Sequence, residues 1–540
     1  MQLPDIQLDT IADPATRQLL EQLLNVIEAM HAEMLLLRAQ NQALRDENAR
    51  LKGGSSKPDI PPNVPPPADH SSETERQTRT PRGKPKKNAS LVVTREQPCV
   101  VDPAILPPDA VRHGGSEVLV QDLLLQTEVI RFVREVWRVP STGQIITAPL
   151  PNGYQGAFGP HIRALAIALG HGANVSQPSL LSFFQNAGVQ IGAGTLSRIL
   201  ADHDGAAAHE AQAIARAGLA SSIWHAADQT GTRVDGHNQT CHVLGNHLYT
   251  VYHTRPGGTR QDVLSVLWGQ ELRFRLNDDA LAWLHSRNLS RSLLLKLCAA
   301  LPWEQELCEA TLQERLQAAG IALGPQQRQQ VFDALAIAAY HAQSETPIVR
   351  LLLSDDAAVY DQMTDAHALC WVHDGRHYAK LEPVVREHQR VLAAFRKEYW
   401  EYYRKLAAYR TAPGIERAKA LRQEFEQLVR RRTGYAALEE RIAKTAANGE
   451  LLLLVLEHPE IPLHNNDMEL AAGRRVRKRD VSFGPQSPKG ARAWDSFQTI
   501  IATAAKLGVR LYEYLLKRRM APAETPSLAD LIRLRTSASV

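Results

Sequence analysis

The stretch Ile223-Trp224-His225-Ala226-Ala227-Asp228-Gln229-Thr230 decides how the chain is read. An apolar run of strand length ends on a carboxylate. The pattern returns at Ile348-Val349-Arg350-Leu351-Leu352-Leu353, which leads through Ser354 into Asp355. A third acid, Glu469, closes His464-Asn465-Asn466-Asp467-Met468-Glu469, shortly before an arginine-rich run. Carboxylates brought to one point by separate elements can hold two divalent cations, the arrangement that phosphodiester chemistry commonly uses. Magnesium takes oxygen ligands and needs only one or two carboxylates, with water and phosphate completing its shell. A single Asp behind a strand is more often a turn or helix cap, so the weight rests on the three together. Asp356 and Asp467 adjoin two of them and are the rival assignments. On a helix, Asp467 points about 160° away from Glu469.

Around these acids the pattern alternates between strand and helix. Strands are expected at 222–227, 241–244, 249–253 and 348–353. Two long helical stretches interrupt them. One, at about 262–345, is rich in Leu, Ala and Gln; the other, at about 382–456, carries Arg, Glu and the aromatic run Tyr399-Trp400-Glu401-Tyr402-Tyr403. The expected fold class is mixed α/β, with a sheet core over 216–510, helical insertions within it, and a C-terminal helical tail at 511–540.

The front of the chain reads as four further segments. Leu23, Met30, Leu37, Leu44 and Leu51 recur at every seventh position, and Leu20, Ile27, Met34, Asn41 and Asn48 fill the second seam position. This is coiled-coil spacing, and Asn in the seam favours a parallel two-stranded register. Residues 1–52 are therefore expected to dimerise, through 18–52; the competing reading is an amphipathic helix packed on its own chain. Residues 53–90, rich in Pro, Ser and charge, cannot bury enough surface to fold alone. Their basic residues Arg76, Arg79, Arg82, Lys84, Lys86 and Lys87 suit a loose phosphate tether. Residues 91–150 read as short strands at 118–120, 123–126 and 136–139. Residues 151–215 read as helices, with 179–186 and 194–201 flanking a turn at Gly188. That spacing fits a helix-turn-helix and equally an ordinary helical hairpin.

Composition sets bounds on function. The chain has 540 residues, enough for several domains, and a 44% hydrophobic content sufficient for a sizeable core. A formal charge of +4 places any nucleic-acid affinity in local patches. The densest patch is Arg474-Arg475-Val476-Arg477-Lys478-Arg479, whose position behind Glu469 suits contacts to a phosphate backbone. Five scattered cysteines without a C-x-x-C pair suit a reducing compartment. No signal core and no run of about 20 apolar residues is present, so a soluble, cytoplasmic protein without a membrane partner is expected. Cys370, His373 and His377 have zinc-compatible spacing. They lack an evident fourth ligand, His367 being a loose candidate, and a structural role with His373 and Arg376 near DNA is favoured.

Residues from about 15 to 520 resemble a transposase of the IS sixty-six insertion-sequence family. The resemblance rests on Asp228-Gln229-Thr230, on Ser354-Asp355 with Tyr360, on Cys370-Trp371-Val372-His373 with Arg376, and on Asn465-Asn466-Asp467-Met468-Glu469. Arg474, Lys478, Ser482-Phe483-Gly484, Gly490, Ser496 and Thr503-Ala504-Ala505-Lys506 extend it. It implies a DDE catalytic core on a ribonuclease-H-like fold, with Asp228, Asp355 and Glu469 as catalytic and metal-binding residues for two magnesium or manganese ions. It further implies DNA contacts from Arg474, Arg475, Arg477, Lys478, Arg479, His373, Arg376 and Lys506. It implies as partners the element ends and target DNA, with accessory proteins of the same element as further candidates, and a bacterial, nucleoid-associated setting. Three features depart from the family, the first being the long interval between the two Asp, where residues 262–345 imply an insertion domain. Only Cys99 stands where paired cysteines often bind zinc, so zinc is not expected there, and Gly375 replaces the usual arginine before Arg376. The alternative function is a catalytically inactive, DNA-binding regulatory descendant of a transposase.

Overall fold

The computed structural model describes residues 8, 11–51, 92–108, 110, 117–154 and 156–538. The basic linker expected at 53–90 lies outside the described residues.

Helix α1 (Pro14–Leu51) is continuous. Its first turns pack on the chain itself: Leu24 is buried with Val385, and Leu20 and Ile27 flank it. Glu28 accepts the backbone N–H groups of Val384 and Val385, and Asn25 bonds Gly434 and Ala436. Two seam positions are thus used within the chain, as the packed-helix reading has it. Beyond them Met30, Met34, Leu37 and Leu44 remain exposed.

Of the three strands expected in 91–150, the last is present as β1 (Val136–Arg138), paired antiparallel with β2 (Ile145–Thr147). Residues 118–120 and 123–126 have no ladder partner and no regular structure. Four helices follow: α2 (Pro160–Ile167), α3 (Gln177–Asn186), α4 (Ala193–Leu200) and α5 (Ala206–Leu219). Gly188 turns between α3 and α4 at φ +84°.

The central sheet is built from β3 (Trp224–Val234), β4 (His237–Gly245), β5 (Thr250–Arg255), β8 (Leu351–Ser354) and β9 (Ala366–Leu369), in the order β5-β4-β3-β8-β9. The first three are antiparallel, and β8 and β9 run parallel to β3. β3 does not stop at Ala227 but continues for seven residues to Val234, because β4 supplies ladder bonds where the apolar run has ended. Asp235 and Gly236, both at positive φ, make the tight turn whose twist matches a hairpin.

Between β5 and β8 lie α6 (Arg260–Trp268), β6 (Phe274–Arg275), α7 (Asp278–Ser286), α8 (Arg291–Ala300), β7 (Glu306–Leu307), α9 (Glu309–Ala318) and α10 (Pro325–Ala342). Every residue of α10 from Val331 to Tyr340 is buried, as a helix enclosed on all sides requires. This insertion, helices α2 to α5 and one face of the sheet (Ala227, Leu244, Leu352) share a single core.

After β9 come α11 (Trp371–Ala379) and the second insertion, α12 (Arg386–Thr411), α13 (Ile415–Val429), α14 (Ala436–Ala447) and α15 (Gly449–Leu452). Its core is separate and aromatic, with Trp371, Tyr378, Tyr399, Tyr402 and Phe425 at its centre. Gly375 belongs to this packing: a Cβ there would stand 2.6 Å from the Trp400 ring. A longer side chain has no room at that position.

Helix α16 (Asn466–Ser482) covers the opposite face of the sheet, packing Met468, Ala471 and Ala472 on Ala226, Val243 and Leu353. Then α17 (Pro488–Lys506), α18 (Leu511–Met520) and α19 (Leu528–Ser537) complete the chain. The tail helices return to the front of the molecule, where Tyr514 and Arg518 both reach Glu210 of α5. No helix among the described residues is long and apolar enough to cross a membrane.

Candidate functional site

The register of the parallel strands places the first two acids. Trp224 stands opposite Leu351, and Ala226 opposite Leu353. Two residues further on, this register brings Asp228 opposite Asp355. Neighbouring strands lie about 4.8 Å apart, and side chains two residues apart share a face. Both acids therefore face the side where Ala226 and Leu353 meet α16. β8 ends at Ser354, so beyond Ala226 the edge of β3 toward β8 is uncovered and the acids stand at the rim of the sheet.

Glu469 reaches them from the first turn of α16. Asn465, just ahead of this helix, donates its Nδ2 to the carbonyl of Ala227 at 2.6 Å. The start of α16 is thereby tied to the residue before Asp228. Further along, Arg479 donates to Gly231 O, and Tyr252 of β5 donates its hydroxyl to Ala471 O.

The electrostatics follow from this crowding. The Asp228 carboxyl is pushed up to about 7, chiefly by burial and then by the charges of Asp355 and Glu469. A hydrogen bond from Gln229 N–H and the cation of Arg376 act against that shift. Arg376 binds Glu469 Oε2 at 2.9 Å, and His373 Nδ1 stands 3.4 Å from Oε1. Tyr360 is fully buried, its hydroxyl held neutral by burial and by the fields of Asp355 and Asp228. Asp228, Asp355 and Glu469 offer only oxygen, the donor that hard divalent cations such as magnesium or manganese prefer. Their mutual repulsion leaves negative charge in excess of the nearby arginine. On donor type and charge the set fits such ions.

The rivals point elsewhere. Asp356 pairs with His377 at 3.4 Å. Asp467 is exposed, and its charge acts on Lys506 and His247. His377 is thereby drawn away from Cys370 and His373, so those three do not form a common cluster.

The basic run divides. Arg474 and Arg477 are exposed, and Arg479 is half-buried. Arg475 and Lys478 do not meet the expectation of phosphate contacts. Arg475 is 1% exposed, paired with Asp495 and bonded to Gln498 and Thr254. Lys478 is 3% exposed, donates to Gly170 O at 2.7 Å and lies over the Trp494 ring. Lys506 is likewise committed, donating to the carbonyls of Asn246 and Tyr249. The reason is helical: residues 468, 471, 472, 475 and 478 form one face of α16, and that face is against the protein. His373 and Arg376 lie beside Glu469.

The sequence alone assigns Asn465 no role. Its fixed place four residues before Glu469, at the start of a helix, was the available signal. Arg260 was not singled out at all. It bonds the carbonyls of Ala358 and Val359 and pairs with Asp333, holding the loop that follows Asp355.

A family model described as Transposase IS66 family matches residues 337–493. That span includes Asp355, Glu469 and the whole aromatic insertion, while Asp228 lies ahead of it. The uncharacterized protein y4jO of Sinorhizobium fredii is 31% identical over 300 residues, covering 55% of this chain and 92% of that protein.

Proposed function

Because the chain belongs to the IS66 family of transposases, we propose that it cuts DNA at the ends of its element and joins the freed 3′ ends to target DNA, with Asp228, Asp355 and Glu469 as the catalytic acids. The observation that carries this reading is the β3–β8 register from Trp224–Ala226 against Leu351–Leu353, which continued two residues puts Asp228 beside Asp355, with the charges of Asp355 and Glu469 acting on Asp228 and Asn465 tying the start of the Glu469 helix to Ala227. The strand order, three antiparallel strands followed by two parallel to the first, supports a ribonuclease-H-like core.

The three acids would hold magnesium or manganese, which when bound activates the attacking oxygen and stabilises the leaving one. The chain's own groups prepare the rest. Arg376 fixes the Glu469 carboxylate, and Asn465 fixes the helix that carries it. Arg474 and Arg477, exposed one and two turns beyond Glu469, suit phosphate contacts that position a strand without reading its sequence. The turn between α3 and α4 leaves Ser197 and Arg198 of α4 exposed, a face suited to element ends. The α1 surface from Met30 onward suits pairing with a second copy.

The test is strand transfer in magnesium from a supercoiled donor carrying the two element ends. Asp228→Ala, Asp355→Ala and Glu469→Gln each abolish joining while end binding in a mobility-shift assay persists. Full joining by any one variant removes that residue from the site. Binding of the ends by the wild-type chain without any cutting favours the regulatory descendant instead.

A further inference from the structure

The rim of the sheet holds a third functional side chain in the same row. Ser354 stands opposite Leu369 in the β8–β9 ladder, so the next residues, Asp355 and Cys370, are also neighbours. Cys370 N donates to Ser354 O at 2.9 Å, fixing that placement. Asp228, inside β3, thus lies in one row with Asp355 and Cys370, which follow the ends of β8 and β9, at the carboxyl edge where open α/β sheets place ligands. One turn into α11, His373 points to the same spot. Cys370 Sγ, a His373 ring nitrogen and a Glu469 oxygen all lie within 4.8 Å of one another.

Two details at His373 suit a metal better than a simple helix cap. His373 Nδ1 is buried and makes no hydrogen bond. Its 3.4 Å separation from Glu469 Oε1 exceeds the 2.7–3.2 Å or so of a good N–H···O bond. It matches the roughly 3.4 Å edge between two ligand atoms each about 2.0–2.1 Å from a tetrahedral ion. The Cys370 sulfur accepts the backbone N–H groups of His373 and Asn465, at 3.5 and 3.3 Å. The first of these bonds is the cap of α11 itself, and burial pushes the free thiol up to about 11 against both of them, so the ion must displace the thiol proton.

We propose that Cys370, His373 and Glu469 form a binding site for zinc, distinct in donor chemistry from the all-oxygen set at Asp228 and Asp355 and sharing Glu469 with it. One sulfur, one nitrogen and one oxygen select a borderline ion over magnesium. Three protein ligands leave a fourth position for water, the open form of a zinc site. On binding, the Cys370 thiol releases its proton to solvent as the sulfur–metal bond forms. Glu469 Oε2 stays with Arg376 while Oε1 turns to the ion. This assignment does not depend on the transposition reading, because binding is measured without DNA.

Cobalt(II) replaces zinc and reports sulfur ligation through its thiolate-to-metal absorption band. Titrating the full chain with cobalt is expected to give this band at one ion per chain, and zinc is expected to bleach it. Cys370→Ser removes the band. His373→Asn and Glu469→Gln weaken binding by more than the roughly tenfold that loss of an outer-shell partner costs. The combined Cys99→Ser, Cys298→Ser and Cys308→Ser variant keeps the band. Excess magnesium shifts the cobalt titration to higher concentration, since Glu469 is shared. No band in the wild-type chain, or a band unchanged in Cys370→Ser, overturns the site, as does loss of the band in the triple variant. If Cys370→Ser does not fold, His373→Asn decides: unchanged cobalt affinity there overturns the site equally.

Discussion

At its first turn α16 brings Glu469 to Asp228 and Asp355, and two turns later the same helix carries Arg475 and Lys478 into the protein. The two places handle charge differently. Arg475 itself is answered at both terminal nitrogens: Asp495 accepts from one, Thr254 donates to Asp495, and Gln498 takes the other, while its Nε has no partner. Around Asp228 three acids face chiefly Arg376 and His373, and one of those acids is held partly protonated near neutral pH. A closed network locks a helix onto a sheet. An open excess of one sign attracts an ion of the other. On the proposed function, the first turn is the working end of the helix and its middle the anchor.

The sharpest way to break this contrast is to remove one acid and one anchor and see which property fails. Asp228→Asn is expected to lower strand transfer by at least about a thousandfold, roughly 4 kcal/mol of transition-state stabilisation, with the urea unfolding midpoint unchanged or raised. Arg475→Ala is expected to do the reverse. It strands Asp495 in the interior and costs about 3–5 kcal/mol of stability, read as a lower urea midpoint, while the residual folded protein keeps joining activity in proportion to its amount. The double variant Arg475→Met, Asp495→Leu recovers most of that loss, because a buried ion pair replaced by apolar volume is often near neutral. If Asp228→Asn destabilises as strongly as Arg475→Ala, the acid is an anchor too and the contrast fails.

A smaller effect separates the two ends through pH. Asp228 binds its proton more tightly folded than unfolded, since its carboxyl moves from about 4 up to about 7. Between those values the folded state holds more protons, so this residue makes stability fall as pH rises. Buried neutral histidines such as His225 and His367, both pushed down to about 4, drive stability the other way. They are common to both proteins, so the wild-type minus Asp228→Asn difference isolates the acid. Without divalent ions that difference should move by about 1–3 kcal/mol against the wild type between pH 4 and pH 8. Millimolar magnesium should flatten it. A flat difference without magnesium removes the claim that the three acids crowd one another.

The same contrast explains what was legible in the chain. The acids at 228 and 355 stand out because an apolar run predicts a strand and its end predicts a rim. Their alignment was not legible, because register between strands over a hundred residues apart is set by packing rather than by local pattern. The basic run at 474–479 misled because six residues in a row look like a solvated face. Its spacing held the correction: Met468, Ala471, Ala472, Arg475 and Lys478 recur at helical intervals, so two cations continue an apolar stripe. In α1 the heptad was legible throughout. That Leu20, Leu24 and Ile27 spend their surface on Val385 depended on an insertion far along the chain.

Lys478 sharpens the comparison at its finest, since it is an anchor with no acid of its own. Its amine is pushed down to about 8, by burial first and then by Arg475. The folded state therefore holds fewer protons than the unfolded one from about pH 8 up to the ordinary lysine range near 10.4, and stability from this residue rises with pH across that window. Below it the charged amine is retained at a cost, offset by its bond to Gly170 O and by the Trp494 ring under the ammonium. Lys478→Met keeps the length and fills the same space without charge. At pH 7 it is expected to change stability by no more than about 1 kcal/mol, and the wild type should gain on it between pH 8 and pH 10. A Lys478→Met protein that folds normally but loses DNA-end affinity as Arg474→Ala does would place Lys478 with the working end instead, and the boundary between anchor and site would move one turn along α16.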